Sequence, residues 1–207
     1  MRELETVLTV IGESLVDIIS NPQHSASTQE HAGGSPLNVA VGAARLGLQT
    51  NLVTHYAEDR YGYILEKHLR HNGVQVINGG NRPTSTALAV VGDDGAAEYT
   101  FSITWEINGA SLPALAAVET STHVHTGSIA TVLLPGAQRT LALVGAAREH
   151  ATISYDPTAG PESAPTRPRH VSRPNSSWPP ATSSKPATKT WPGYTRTGHR
   201  TKPWKPG

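Results

Sequence analysis

Gly33-Gly34-Ser35-Pro36-Leu37-Asn38-Val39-Ala40-Val41-Gly42-Ala43-Ala44-Arg45-Leu46-Gly47 is the stretch that decides how this chain folds. Pro36 suits the first turn of a helix, because its fixed φ is already helical and its missing N–H is not needed there. Leu37, Ala40, Val41, Ala44 and Leu46 then recur at helical spacing, and Gly47 closes the run. Two glycines ahead of a helix let backbone amides come close to a ligand at the positive end of the helix. Asn38, one turn inside, carries an amide that can both donate to and accept from a hydroxyl. The plain alternative is a glycine turn before a small-residue helix packed on a sheet, and the stretch alone leaves both readings open.

Upstream, Val7 to Ile11 is a short apolar run ending at Gly12, which predicts a buried first strand. Leu15 to Ile19 continues extended and carries Asp17, whose carboxylate could accept hydrogen bonds from two neighbouring sugar hydroxyls or simply be solvated at a strand end. Residues 21–31 are polar and read as a loop. Downstream, Leu52 to Thr54 predicts a strand, and Asp59 to Asn72 a helix with Tyr63, Leu65 and Leu69 inward and Gly73 as its stop. Val74 to Ile77 predicts a further strand. Thr84 to Val91 and Ala97 to Ile103 flank Gly92-Asp93-Asp94-Gly95, a hairpin signal. An antiparallel pair fits badly inside a β-α-β alternation, so it is expected to project as a flap or lid. Thr122 to Thr126, a helix over Leu134 to Arg148, and a strand over Thr152 to Tyr155 complete a mostly parallel, doubly wound α/β sheet.

The chain changes character at Asp156-Pro157. The fifty residues 158–207 contain no Leu, Ile, Met or Phe and one Val, Val171. From Pro157 onward lie eleven of the 16 prolines and three of the four tryptophans. Up to Pro157 there are 15 acidic and 8 basic residues; from Thr158 there are 1 and 9, so the total of +1 hides two opposite halves. The tail composition predicts disorder. Cys is absent, which excludes disulfide and thiol chemistry. No apolar run approaches the roughly 20 residues of a membrane span, and the acidic N-terminus lacks a signal peptide's apolar stretch. A cytoplasmic location is expected.

Taken together, these strings resemble the ribokinase-like (PfkB) family of carbohydrate kinases. The resemblance rests on Gly12 to Asp17, the Gly33 to Gly47 string, Thr84 to Ala87 leading into a hairpin, His125-Thr126-Gly127-Ser128, and Tyr155-Asp156-Pro157, in that order. It covers residues 5–157, about the first half of a typical member, and the Ser-Pro-Leu-Asn form is similar to the fructokinase-like branch. It implies the N-terminal half of an αβα sandwich with a small β lid over the sugar. It also implies phosphoryl transfer from ATP, with Mg, to a hydroxyl of a ketohexose-like sugar. Carried over residue by residue, Asp17, Gly33, Gly34 and Asn38 match sugar-binding positions, and Phe101 and Trp105 fall where lid residues line the sugar. Some relatives pair as homodimers through the lid. The family's catalytic base is the Asp of a Gly-Ala-Gly-Asp motif in the C-terminal half, where the nucleotide segments also lie. This sequence contains no such motif. No catalytic residue is therefore assigned, and no bound ATP or Mg is expected. The expected organisation is a partial kinase domain over 1–157 and an off-frame tail over 158–207.

The family continues Asp-Pro-Asn-x-Arg-Pro where this chain reads Asp156-Pro157-Thr158-Ala159-Gly160-Pro161. Read from each codon's third base, Pro157 into Thr158 permits Asn, Ala159 into Gly160 permits Arg, and Gly160 into Pro161 permits Pro. The junctions Trp178-Pro179 and Trp191-Pro192 both force Ala. In the same frame, Ser184 through Arg196 permits K-A-S-D-E-D-L-A-W-L-Y-P, similar to the family's segment after its next strand. A frameshift after Pro157 is the expectation, and with it loss of catalysis. The alternatives are a residual sugar-binding module, or a basic tail that contacts nucleic acid; the tail shows irregular basic spacing and no nucleic-acid motif. His123 and His125 share a strand face but lack an evident third ligand, so an ordinary histidine pair is expected rather than a metal site.

Overall fold

The computed structural model describes residues 6–20, 28–92 and 97–157. All belong to one compact unit, Met1–Pro165; a second unit, Thr166–Gly207, lies outside the described residues. The tail expected to be disordered, 158–207, and the hairpin tip at 93–96 therefore also lie outside them.

The central sheet is built from β1 (Val7–Ile11), β4 (Gln49–Thr54), β5 (Gln75–Asn78), β8 (His123–Gly127) and β9 (Thr152–Asp156). Its order is β5-β4-β1-β8-β9, and every pairing is parallel. Strand side chains alternate between faces, so one strand feeds two cores. Leu8 and Val10 of β1 join Leu52, Leu37, Ala40, Leu65 and Leu69 on one face. Ile11 joins Val53, Val124, Trp105, Val118 and Leu143 on the other. The first face is covered by α1 (Ser35–Arg45) and α2 (Arg60–His71). The second is covered by α3 (Ser111–Glu119), the short α4 (Ser128–Val132) and α5 (Gly136–Ala147). This is a three-layer α/β/α arrangement with a parallel sheet buried on both sides.

A second sheet holds β2 (Leu15–Ser20), β3 (Gln29–Gly33), β6 (Ser85–Val91) and β7 (Ala97–Ser102), in the order β3-β2-β6-β7. β2 runs antiparallel to β3 and parallel to β6, and β6–β7 is the antiparallel hairpin that the Gly-Asp-Asp-Gly signal predicts. Val16, Ile18 and Ala32 of this sheet pack into the α1–α2 core.

Four expectations are corrected. Gln29–Gly33 is a strand, not part of a loop: an edge strand needs only backbone pairing with β2, so its polar sequence is no obstacle. Residues 21–27 of the expected loop lie outside the described residues. Leu46 is 84% exposed because α1 ends at Arg45 and Leu46 is its cap. Tyr63 is 70% exposed: α2 buries Gly62, Leu65 and Leu69, and a residue two positions from Leu65 lies on the far side of the helix. The helix expected over Leu134 to Arg148 begins at Gly136, with Pro135 at its cap.

Asp59 shows why α2 starts where it does. Its carboxylate caps the helix by accepting from Gly62 N–H (2.8 Å) and also takes Thr84 N–H (3.0 Å) and Thr84 Oγ1 (2.7 Å). Burial works against its charge, but the donors from Thr84 and Gly62 outweigh it and hold the carboxyl below its ordinary value. No helix among the described residues is long and apolar enough to cross a membrane.

Candidate functional site

The site forms where α1 begins over the carboxyl ends of the central strands. Gly12 follows β1 and donates its N–H to Val53 O at 3.0 Å. Pro36 lies over it so closely that a β-carbon at Gly12 would overlap the proline ring. The chain reaches α1 through Gly34, whose φ of 107° suits glycine, and a β-carbon there would come 2.7 Å from Glu13 O. The Gly33-Gly34 turn therefore rests directly on the Gly12-Glu13-Ser14 loop.

The second sheet supplies the wall. Register puts His31 of β3, Asp17 of β2, Ala87 of β6 and Phe101 of β7 in one row across one face. Gln29, Ile19, Ala89 and Tyr99 form the next row on the same face. The Tyr99 and Phe101 rings stack at 6.1 Å between centroids. A β-carbon at Gly33 would overlap the Asp17 carboxylate, so the glycine makes room for that group. Burial raises the Asp17 carboxyl above its ordinary value, and the charge of His31 opposes the rise. Asn38 is exposed and anchored by its N–H to Gly34 O at 3.0 Å.

Five of the six sequence-assigned residues thus lie around one region: Asp17 against Gly33, Gly34 joined to Asn38, and Phe101 in the Asp17 row. Trp105, also assigned to the sugar site, does not join them in the structure. It is 1% exposed, packs under Gly136 of α5, and gives its indole N–H to Ala130 O (3.0 Å) and Thr140 Oγ1 (3.2 Å). It lies beyond the end of β7 at Ser102, where the alternation of the strand no longer aims side chains at the lid face.

Sequence reasoning missed Glu13, Asp156 and His31. Glu13 is 4% exposed, and its Oε2 has no hydrogen-bond partner among the described residues. Burial pushes its carboxyl up to about 7; its own backbone N–H pulls the other way, and the nearby Asp156 charge adds to the rise. Ser35 Oγ donates to Asp156 Oδ2 at 3.0 Å, which ties α1 to β9. The start of α1 is thus lined by two carboxyl groups, Asp156 and a Glu13 that holds its proton up to about pH 7. His123 Nε2 and His125 Nδ1 both reach Ser154 Oγ, at 2.7 and 2.8 Å. Burial lowers the His125 ring's proton affinity; Asp156 opposes this and His123 reinforces it. Among the described residues no group of three His, Cys, Asp or Glu side chains could hold a metal ion.

A three-layer parallel sheet with a second sheet over the strand ends is the fold of solved sugar kinases. The chain superposes on a fructokinase with bound ATP from Xylella fastidiosa with a TM-score of 0.69, at 21% identity, over 80% of this chain and 56% of that one. The match to an Arabidopsis thaliana ribokinase complexed with ribose and ATP has a TM-score of 0.63, at 20% identity, over 75% and 54%. Residues 5–173 match the pfkB family carbohydrate kinase. The chain belongs to that family. Among curated proteins it is 31% identical over 97 residues to a fructokinase from Escherichia coli, and 32% identical over 69 residues to a 5-dehydro-2-deoxygluconokinase from Geobacillus kaustophilus. Those alignments cover 45% and 31% of this chain, and 31% and 21% of the relatives. The chain spans about half the length of the solved structures it matches.

Proposed function

We propose that residues 1–157 are the sugar-binding half of an ATP-dependent carbohydrate kinase domain. We propose further that the 207-residue polypeptide binds a small sugar without phosphorylating it. The observation that carries the reading is the space over Gly33 that receives the Asp17 carboxylate, on the same face as the stacked Tyr99 and Phe101. A carboxylate accepts from adjacent hydroxyls, and aromatic rings take the apolar face of a sugar. Asn38 and the Gly33-Gly34 amides stand at the start of α1 to complete the polar contacts. Phosphoryl transfer needs positioned phosphates and a base at the acceptor hydroxyl. The family's Gly-Ala-Gly-Asp base motif does not occur among the 207 residues, and residues 158–207 read as an off-frame segment.

Titration calorimetry with fructose, ribose and 2-keto-3-deoxygluconate, without nucleotide, tests binding; a coupled ADP-release assay with the same sugars tests transfer. Saturable heat with no ADP release is expected. Absence of heat at millimolar sugar removes the binding reading, and turnover above background removes the inactivity reading. The reading places the protein in the cytoplasm, which cell fractionation checks. It also includes a homodimer through the lid, favoured by the exposed Ile19, Tyr99 and Phe101 on one face; sedimentation across protein concentrations tests that.

A further inference from the structure

His55 follows β4 directly and is 1% exposed. Its Nδ1 lies 2.8 Å from Glu106 O and its Nε2 lies 3.1 Å from Arg82 O. Carbonyl oxygens only accept. A neutral imidazole has a single N–H, so it can satisfy one of these oxygens and must turn a lone pair toward the other. Both bonds are made together only when both ring nitrogens carry protons. Burying a polar ring is costly unless its nitrogens meet partners, and here each faces a carbonyl oxygen. Gly80 lies flat against the ring, where a β-carbon would overlap it.

The two oxygens belong to the two roots of the lid. Arg82 precedes β6, and Glu106 follows β7. One side chain at the end of a central strand therefore holds both ends of the hairpin that carries Ala87 and Phe101. The charged groups around it come from both roots. Arg82 Nε donates to Glu106 Oε2 at 3.3 Å, and Asn108 Nδ2 donates to Glu106 Oε1 at 3.1 Å. On the other side, Asp59 holds Thr84, and Tyr56 adjoins in sequence, its backbone N–H donating to Asn78 Oδ1 at 3.2 Å.

We propose that His55 is a positioning residue for the sugar site: its ring, set between the carbonyls of Arg82 and Glu106, pins the lid roots to the central sheet. The proposal rests on the sugar-site reading for its functional consequence, but not for its structural claim. With both roots held, Phe101 and Ala87 keep a fixed place beside Asp17. With one released, the hairpin pivots on the other.

The test uses the 207-residue chain and its His55→Gln and His55→Ala variants. Hydrogen exchange, expressed as protection factors, compares β6 and β7 with β1 and β4. His55→Gln, whose amide can serve one carbonyl, should keep most of the lid protection, whereas His55→Ala should lower it by about tenfold, as for loss of one hydrogen bond, while central-sheet protection holds. Sugar affinity should follow lid protection across the three proteins. Equal lid protection in the wild type and His55→Ala overturns the proposal, as does a loss spread evenly over both sheets. If no sugar binds, the reading of the site fails, while the exchange data still decide the role of His55.

Discussion

Ser35 Oγ donates to Asp156 Oδ2 at 3.0 Å, so the first residue of α1 is fastened to the last residue of β9, 121 positions away. The bond fixes the Gly33-Gly34 turn at the strand ends. Ser35→Ala should cost about 1 kcal/mol, the usual net worth of such a bond, read by urea denaturation. Asp156→Asn keeps an acceptor but removes a charge, so the Glu13 carboxyl should titrate lower; carboxyl 13C shifts check this.

Glu13 makes the stability of the fold depend on pH. The folded chain holds its proton up to about pH 7, whereas the unfolded chain releases it near the ordinary 4.5. The folded state binds the extra proton between those values, so the contribution is full below 4.5 and is lost as pH rises through 7. The total is on the order of 3 kcal/mol. Glu13→Gln should flatten the profile and leave the variant more stable than the wild type at pH 8. Denaturation midpoints at pH 5 and pH 8 decide it, and an unchanged slope in the variant would refute the assignment.

Trp105 and Phe101 are four residues apart and should behave oppositely. Trp105→Ala opens a cavity beside α5 and should cost about 3–5 kcal/mol. Phe101 is 56% exposed, so Phe101→Ala should change stability by less than about 1 kcal/mol while weakening sugar binding. Thermal melts and calorimetry on both variants separate the two roles.

Asp17→Asn and Gly33→Ala attack one contact from its two sides. The first removes the charged acceptor; the second puts a methyl group where the carboxylate lies. Each should lower sugar affinity by about tenfold to a hundredfold, the worth of a charge-assisted hydrogen bond. Burial raises the Asp17 carboxyl above 3.8, so wild-type affinity should fall on acidification with a midpoint above that value. Calorimetry at pH 4.5 and 7 supplies the comparison.

How much of this was legible follows from how local each cause is. Pro36 with its apolar spacing announced α1, and the glycines at 92 and 95 announced the β6–β7 pairing, because both signals sit inside the element they create. Gln29–Gly33 gave none, since an edge strand is held by its neighbour's backbone. Ser111–Glu119 carries no such signal: Ala and Leu run around the whole helix, so no apolar stripe stands out. Asp17 and the Gly-Gly-Ser-Pro-Leu-Asn string were recognisable through resemblance. Glu13 was not, because its burial comes from Gly34 and β9, remote parts of the chain. The Asp17–His31 pairing became visible only once the register of β2 and β3 was known.

The parallel union of β2 with β6 has a consequence for how the molecule assembles. Parallel neighbours cannot be joined by a tight turn. Everything from β3 through β5 is the connection between Ser20 and Ser85. During synthesis, the strand bearing Asp17 emerges early and waits for its neighbour until α1, β4 and α2 have been made. The wall that carries Asp17 is thus the late product of a large loop closure, and such closures are slow. A ligand held there favours only chains that have already built the layers beneath it.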